Sequence, residues 1–351
     1  MKKLETGYSV QWMAIISMAA VALVCVAAPL LAAGKVAKAG QAASSSAASE
    51  EAQNPTNVRS RITIYDLATK TISVVFTDDK LWEAPNWSRD GKYLLVNSGG
   101  ELYRLVLHRK GPATLEKIAL PTGYVCNNDK GYSPDGKRLA FSAIYGDAKG
   151  SHVYIASADG ANPQMITPAQ PSYFHGWSPD GEWFAYVAER NGAPFHLYRM
   201  SSSGGEEEAL TTQPVFDDGP DYSPDGKWIY FNSKRINGWD IWRIPPTGAG
   251  PNDEKAERVT SDVMEDWFPH PSPDGKWLVF LSFPPGTPGH NAKTQVELRM
   301  MPMPSSAPGL KPQDAKIVVL EKFFGGQGTI NVNSWSPDSK KFAYVTYERL
   351  K

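Results

Sequence analysis

The phrase Ser-Pro-Asp-Gly, or a close variant of it, occurs six times in this chain. The serines of the six copies follow one another at intervals of 45, 45, 45, 49 and 64 residues; they are Ser88, Ser133, Ser178, Ser223, Ser272 and Ser336. A period near 45 residues that contains four strand-like runs is typical of one blade of a β-propeller. The repeat therefore predicts an all-β fold with one blade per copy.

The third copy shows how one repeat divides into strands. Ser172–Ser178 predicts the first strand, and the following Pro-Asp-Gly predicts a tight turn, because Pro presets a negative φ and Gly accepts a positive one. The runs Trp183–Glu189, Phe195–Ser201 and Glu207–Thr212 predict three further strands separated by polar or glycine-containing turns. The repeated phrase is thus the first hairpin turn of each blade.

The two ends of the repeat region predict how the ring closes. The last copy supplies only two strand-like runs, Thr329–Ser336 and Lys341–Glu348. Two further runs, Arg61–Leu67 and Thr71–Thr77, precede the first copy and complete a sixth blade. We expect this closure to remove the free sheet edges that invite association, and we expect a monomer.

The N-terminal residues differ in composition from the repeats. Residues 1–39 contain an apolar run, Met13–Ala33, and a small-x-small site at Ala37–Ala39, which fit a cleaved signal peptide. The run is also long enough to be retained as a membrane anchor. Residues 40–59 are rich in Ala and Ser and predict a flexible linker. The six-bladed domain is then assigned to residues 60–351, exported to the periplasm or anchored in the inner membrane facing it.

Charge and motifs limit the classes of function. The net charge is −1, so no basic surface suited to nucleic acid is expected. The chain has no GxSxG nucleophile elbow, no HExxH metal motif and no phosphate loop. These absences favour a role without catalysis.

The phrases "CNNDKGYSPDGKRLAFSA" and "FDDGPDYSPDGKWIYFNS", with "LYRM" and "IWRI" in the third strands, resemble the repeat of TolB-like propellers. The resemblance covers about residues 60 to 350. It implies a six-bladed propeller that binds an envelope protein such as Pal. No counterpart of the α/β domain that precedes the propeller in TolB is seen. Similar propellers also serve in peptidases and polysaccharide lyases, so the repeat specifies the fold more narrowly than the function.

Polar residues cluster just before the motifs, where the inner strands begin and face the central channel. The predicted ligand-binding set on this channel face is Asn128, Lys130, His175, Glu189, Arg190, Asp217, Asp218, Asp221, Trp267, His270, Asn331 and Asn333. Asn86, Asp129, Asp266 and Tyr173 lie at related positions. Loops on such a face can vary without disturbing the ring, which is why ligands commonly bind there.

Three interpretations of these residues stay open. They can be structural, satisfying backbone groups and holding water. They can bind a small polar or glycan ligand. They can also hold a divalent metal through His175, Asp221 and His270, which lie two or three residues before their motifs and should converge near the axis. No catalytic residue and no obligatory cofactor is predicted.

Two functional hypotheses follow. The favoured one is an exported, non-catalytic propeller that binds a protein partner or a polar ligand on its channel face. The alternative is a carbohydrate-active enzyme, a lyase or hydrolase, built from His175, His270 and the Asp217–Asp218 pair with Lys130 or Arg190. The long turn Phe283–Lys293 fits either a rim over the channel or an ordinary loop insertion.

Overall fold

A computed structural model describes residues 57–290, 293–304 and 314–350. The predicted signal or anchor and all but the last three residues of the predicted linker lie outside these ranges. The described residues form 23 β-strands and one short 3-10 turn, Pro251–Asp253. Within them, no helix combines the length and apolarity needed to cross a membrane.

Five blades are complete four-stranded antiparallel sheets. Blade 1 contains, from the channel outward, β3 (Glu83–Trp87), β4 (Tyr93–Ser98), β5 (Glu101–Val106) and β6 (Thr114–Lys117). Blade 2 contains β7 (Tyr124–Tyr132), β8 (Arg138–Tyr145), β9 (His152–Ser157) and β10 (Gln164–Met165). Blade 3 contains β11 (Ser172–Trp177), β12 (Trp183–Ala188), β13 (His196–Ser201) and β14 (Glu208–Ala209). Blade 4 contains β15 (Asp217–Tyr222), β16 (Ile229–Ser233), β17 (Asp240–Ile244) and β18 (Glu257–Arg258). Blade 5 contains β19 (Glu265–Pro271), β20 (Trp277–Phe283), β21 (Thr294–Pro302) and β22 (Val318–Gly325).

Blade 6 is assembled from both ends of the repeat region. The strand β1 (Val58–Asp66) lies between β23 (Lys341–Arg349) and β2 (Thr71–Asp78). Its pairing with β23 is continuous from Val58 opposite Arg349 to Asp66 opposite Lys341. A single bridge between Trp335 and Phe342 joins the innermost segment to β23. The six-bladed propeller closed by N- and C-terminal strands is therefore confirmed, although its innermost segment is less regular than predicted.

The motif turns have one construction in all six blades. In blade 3, Gly181 N donates to Ser178 O over 2.9 Å, and Gly181 has a φ of 72°. Ser178 Oγ donates to Asp180 Oδ1 over 2.5 Å, and Asp180 Oδ1 accepts from Glu182 N over 2.9 Å. The same Ser-to-Asp bond recurs in every copy over 2.5–2.8 Å. The side chains of the motif thus satisfy the turn locally.

The hydrophobic core is divided into clusters that lie between neighbouring blades. Val187 and Leu197 of blade 3 pack in one cluster with Phe231 and Trp242 of blade 4. The middle strands are apolar on both faces because each blade is covered by a neighbour on each side. Burying one such large side chain contributes about 1.5–3 kcal/mol. Adjacent blades are therefore held together mainly by apolar packing.

Each inner strand of the five complete blades is irregular a few residues before its motif. The pairing register with the second strand shifts at Glu83/Asn86, Cys126/Lys130, Phe174/Gly176, Asp218/Asp221 and Trp267/His270. A bulge bends the strand and changes the direction of side chains around it. The polar residues that the sequence places before the motifs lie at these irregularities.

Candidate binding site on the channel face

The propeller has two faces. The turn face carries the six motif turns. The channel face carries the starts of the inner strands and the loops between the second and third strands of each blade. Predicted ligand residues from several blades lie on or just below the channel face, and contacts join the inner strands of neighbouring blades there.

The motif-proximal residues form one hydrogen-bonded network that spans blades 4, 5, 6 and 1. His270 Nδ1 lies 3.0 Å from Asp221 Oδ2, and His270 Nε2 lies 2.5 Å from Ile330 O. Asn333 Nδ2 donates to Asp221 Oδ2 over 2.8 Å, and Asn86 Nδ2 donates to Asn333 O over 2.5 Å. Both ring nitrogens of His270 are thus bonded to protein groups. This network joins blades and leaves His270 no nitrogen for a ligand.

A second cluster is centred on Asp218. His175 Nε2 lies 3.2 Å from Asp218 Oδ1, and His290 Nε2 lies 3.3 Å from Asp218 Oδ2. Burial lowers the pKa of His175, but the carboxylates of Asp218 and Asp129 outweigh burial, and the pKa is raised. Burial raises the pKa of Asp218, but the two imidazoles outweigh it and hold that pKa below its usual range. One carboxylate therefore orients two imidazoles from two other blades.

The remaining ring nitrogens of this cluster are buried. Within the described ranges, neither His175 Nδ1 nor His290 Nδ1 has a hydrogen-bond partner, and both atoms are buried. A histidine whose Nε2 is bonded to a carboxylate presents Nδ1 in a defined orientation. The cluster of His175, Asp218 and His290 is therefore better suited to contact a ligand than the network around His270.

The contacts divide the predicted metal ligands His175, Asp221 and His270 between two groups. Asp221 pairs with His270, whereas His175 pairs with Asp218; no hydrogen bond or ion pair joins His175 to the other two in the described chain. Residues 57–290, 293–304 and 314–350 contain no group of three or more His, Cys, Asp or Glu side chains arranged to hold a metal ion. The metal hypothesis therefore gains no support from the geometry.

Asp129 and Lys130 are both buried beside the channel. Burial raises the pKa of Asp129 to about 6 and lowers the pKa of Lys130 to about 7. Lys130 Nζ donates to Ala84 O over 2.9 Å and to Asn97 Oδ1 over 2.6 Å. Lys130 thus joins blade 2 to blade 1, and its ammonium group is occupied by that role.

Arg190 and Asp217 are also bonded within the protein. Arg190 Nε lies 2.8 Å from Glu207 Oε1, and its Nη1 donates to Pro171 O over 2.9 Å. Asp217 Oδ2 lies 2.8 Å from Arg235 Nη2, in an ion pair with both side chains at most 5% exposed. Arg190 is thus directed to Glu207, near the outer strand of its own blade, and its guanidinium is occupied by protein oxygens. Glu189 is half-buried next to it.

Three further predicted residues lie inside the protein. Asn331 Oδ1 accepts from Gly328 N over 2.8 Å and its Nδ2 donates to Gln327 Oε1, so Asn331 holds the turn before it. Trp267 is 1% exposed, and its ring centroid lies 3.9 Å from that of Trp239. Asn128 is buried, and its carbonyl lies 3.3 Å from Lys130 Nζ. These contacts support the structural interpretation for most of the predicted set.

Known proteins were compared with the whole chain. A search of family models gave no match. An uncharacterised protein of Agrobacterium fabrum is 43% identical over 291 residues, which cover 83% of this chain and 93% of the relative. A solved structure from Agrobacterium tumefaciens, provisionally named TolB, is 42% identical with a TM-score of 0.76, and the match covers 84% of this chain and 99% of that one.

The chain belongs to the TolB-like β-propeller family. TolB from Acinetobacter baumannii is 18% identical with a TM-score of 0.56, and the match covers 77% of this chain and 64% of that TolB. That likeness shows the shared fold alone. The resemblance inferred from the motif phrases is thus confirmed for the family.

His290 is the residue of this TolB-like propeller that sequence reasoning missed. It lies in the long turn between β20 and β21, which the sequence predicted on the channel face, and it is the one histidine of "FPPGTPGHNAK". Its ring centroid lies 4.6 Å from that of Trp267 and 5.1 Å from that of Phe268. The turn therefore brings an imidazole onto the channel face, as expected for a rim over the channel. The feature of the sequence that could have predicted this role is a histidine in an inserted turn.

Proposed function

We propose that this TolB-like chain is an exported, non-catalytic propeller that binds a protein partner through its channel face. The observation that carries the proposal is the distribution of exposed apolar side chains. In the described ranges, ten large apolar residues are exposed. Four of them lie on the channel face: Val125, Tyr145, Ile236 and Val263. The other six lie on outermost strands, and none of the ten lies in a motif turn.

Exposed apolar residues on the channel face favour a protein partner. Val263 is 76% exposed in the connection before β19, and Ile236 is 46% exposed in the loop between β16 and β17. Tyr145 is 46% exposed and stacks on Tyr124 with ring centroids 4.3 Å apart. Aromatic and aliphatic anchors of this kind supply most of the binding energy at protein interfaces.

The polar cluster of His175, Asp218 and His290 below these residues favours specific binding over non-specific hydrophobic association. Asp218 orients His175 and His290 below this face, and the buried Nδ1 atom of His290 can bond to a polar group of a partner that enters the channel. Binding needs only these fixed contacts. The enzyme alternative needs Lys130 or Arg190 to act on substrate, and both are bonded to protein oxygens.

Export is the second part of the proposal, and it rests on the sequence of residues 1–39. Fusion of these residues to a reporter that is active only outside the cytoplasm should give activity. Replacing the apolar run Met13–Ala33 by a polar sequence should abolish that activity. Reporter activity that survives the replacement would contradict export by this segment.

The binding proposal is tested by photo-crosslinking of the full-length chain in its native host. A benzophenone amino acid placed at Tyr145 or Ile236 should give a discrete protein adduct, whereas the same probe at Lys227 on the turn face should not. Binding of the purified partner should then weaken about tenfold in Ile236→Asp, as expected for the loss of one apolar anchor. Adducts of equal yield at Lys227, or no adduct at either channel-face position, would contradict the proposal. Binding of a glycan from an array to the same face would redirect it to a polar ligand.

A further inference from the structure

The outermost strands of the six blades differ greatly in length. In the described part of the chain, β10, β14 and β18 have two residues each, and β6 has four. Strands β22 and β2 have eight residues each. Ring closure thus leaves free edges at the rim, contrary to the expectation from the sequence. A short edge offers few backbone groups for pairing, whereas a long one can pair with another chain.

The two long edges differ in charge. Strand β22 contains Glu321 and Lys322 at its centre, and Lys322 forms an ion pair with Glu297 over 2.6 Å. Strand β2 has the sequence Thr-Ile-Ser-Val-Val-Phe-Thr-Asp and has no charged residue before Asp78. Charged side chains on an edge are a common means of preventing association. Strand β2 has no such protection over its first seven residues.

The first half of β2 is exposed and regular. Residues 71–74 are all exposed; Ile72 is 44% exposed and Val74 is 53% exposed. Because side chains alternate along a strand, Ile72 and Val74 lie on one face of the sheet. The pairing with β1 shifts between Phe76 and Val74, so the regular stretch of the edge ends near Val75. The exposed β-branched pair is centred on Ser73.

The charges at the ends of β2 are complementary to a reversed copy of the same strand. Exposed Lys70 precedes the strand, and Asp78 ends it. Beyond the strand, exposed Asp79 is ion-paired with Arg59 over 2.5 Å and is followed by exposed Lys80, so Asp78 is the carboxylate that a second copy can contact at this end. An antiparallel copy brings the positive end of one strand towards the negative end of the other, whereas a parallel copy brings like charges together. Such self-complementarity is the requirement for a twofold interface.

We propose that this chain forms a homodimer in which the β2 edges of two copies pair antiparallel about a twofold axis at Ser73. Ile72 of one copy then lies opposite Val74 of the other, and two blades form one continuous sheet. The dimer replaces the monomer expected from the sequence. Because β2 lies at the rim, the channel face of each copy stays accessible, so the inference is independent of the partner-binding proposal.

Sedimentation of the full-length chain over a concentration series tests the dimer. The wild type should dimerise, and Val74→Lys should weaken self-association about tenfold or more, because the substitution occurs twice across the axis and places lysines diagonally opposite. Val319→Lys is the matched control, since Val319 is 41% exposed on the edge β22. It should dimerise like the wild type, and all three proteins should melt at similar temperatures.

A crosslink tests the register without relying on a disruptive variant. Directly opposed residues of antiparallel strands have Cα atoms about 4.5–5.5 Å apart, within the range of a disulfide. Ser73→Cys should therefore give a covalent dimer under mild oxidation, and Val319→Cys should not. A wild type that stays monomeric at all concentrations overturns the proposal. A dimer that Val74→Lys leaves intact, or that Ser73→Cys does not trap, overturns it as well.

Discussion

On the turn face, the aspartate of every motif accepts hydrogen bonds from the motif serine and a backbone N–H. These bonds outweigh burial and lower the pKa of all six carboxyls: Asp90, Asp135, Asp180, Asp225, Asp274 and Asp338. On the channel face, burial dominates at three carboxyls, whereas the imidazoles of His175 and His290 outweigh it at Asp218. Burial raises the pKa of Asp129 to about 6 and that of Asp266 to about 7, and it raises the pKa of Asp217.

This difference separates two roles within one repeat. The turn-face carboxylates stabilise a local turn that is the same in every blade. On the channel face, burial disfavours the charged form of Asp129, Asp217 and Asp266, and each of these carboxyls has different neighbours. Buried groups with shifted pKa values are typical of functional sites, although ion-pair networks produce them too. The turn face therefore has a structural role that every blade shares, whereas the residues of the channel face differ from blade to blade in their partners.

The closed ring supports both faces, so opening it should have the largest effect. Deletion of residues Arg61–Thr77 removes most of β1 and β2 and exposes the edge of β23. We expect loss of cooperative unfolding and aggregation through the new edge, measured by calorimetry and light scattering. A monomeric deletion variant with the melting behaviour of the parent would contradict the closure.

The pH dependence of stability should distinguish the two faces. Asp266 has a raised pKa of about 7 in the folded protein, against 3.8 as its ordinary value, so the folded state binds the extra proton between about pH 4 and 7. Its contribution to the free energy of unfolding is present below about pH 4 and is lost as the pH rises through about 7. Asp266→Asn should remove this pH dependence of the free energy of unfolding, which is on the order of 2–4 kcal/mol between about pH 4 and 7. Urea unfolding at several pH values measures it.

Asp225 on the turn face should give the opposite sign. Its pKa is lowered in the folded protein, so its contribution is present above the ordinary pKa and is lost as the pH falls. Asp225→Asn should flatten only the acidic side of the stability curve. Slopes of the same sign for the two variants would remove the distinction between the faces.

The turn geometry predicts a smaller effect. Gly226 has a φ of 69°, which a β-branched residue adopts only with strain. Gly226→Val should lower the free energy of unfolding by about 2 kcal/mol, whereas Lys227→Ala, which changes an exposed side chain, should change it by less than about 0.5 kcal/mol. Equal stabilities in thermal unfolding would show that the positive φ is not needed.

The smallest expected effect is a change in one titration. Asp218 and Asp129 raise the pKa of His175 against the effect of burial. Asp218→Asn should therefore lower the pKa of His175, followed by NMR of the imidazole nitrogens. The nitrogen chemical shifts of His270, which is bonded to Asp221, should not change at fixed pH. A parallel change in both histidines would mean that the cluster and the network are coupled.

Most of the fold could be predicted from the sequence, whereas the arrangement of the candidate site could not. The spacing of the motif serines predicted the blades, and the terminal runs predicted the sixth blade. A common offset from the motif suggested that His175 and His270 share one site. The register shifts in β11 and β19 fall at these residues, so similar offsets lead to different partners. His290 reaches Asp218 from a turn 72 residues further along the chain.

The sequence by itself determined the turns and the blades, because their interactions are local. The hydrogen bonds of one motif turn join Ser178, Asp180 and Trp183, which lie within five residues of each other. The motif itself sets that spacing. Only the tertiary structure decided which buried acids meet which bases, and which outer strand is long and uncharged. Those outcomes depend on bulges and on contacts between blades, where residues far apart in sequence are brought together and water is excluded. No local pattern encodes the direction of a side chain once the strand that carries it is bent.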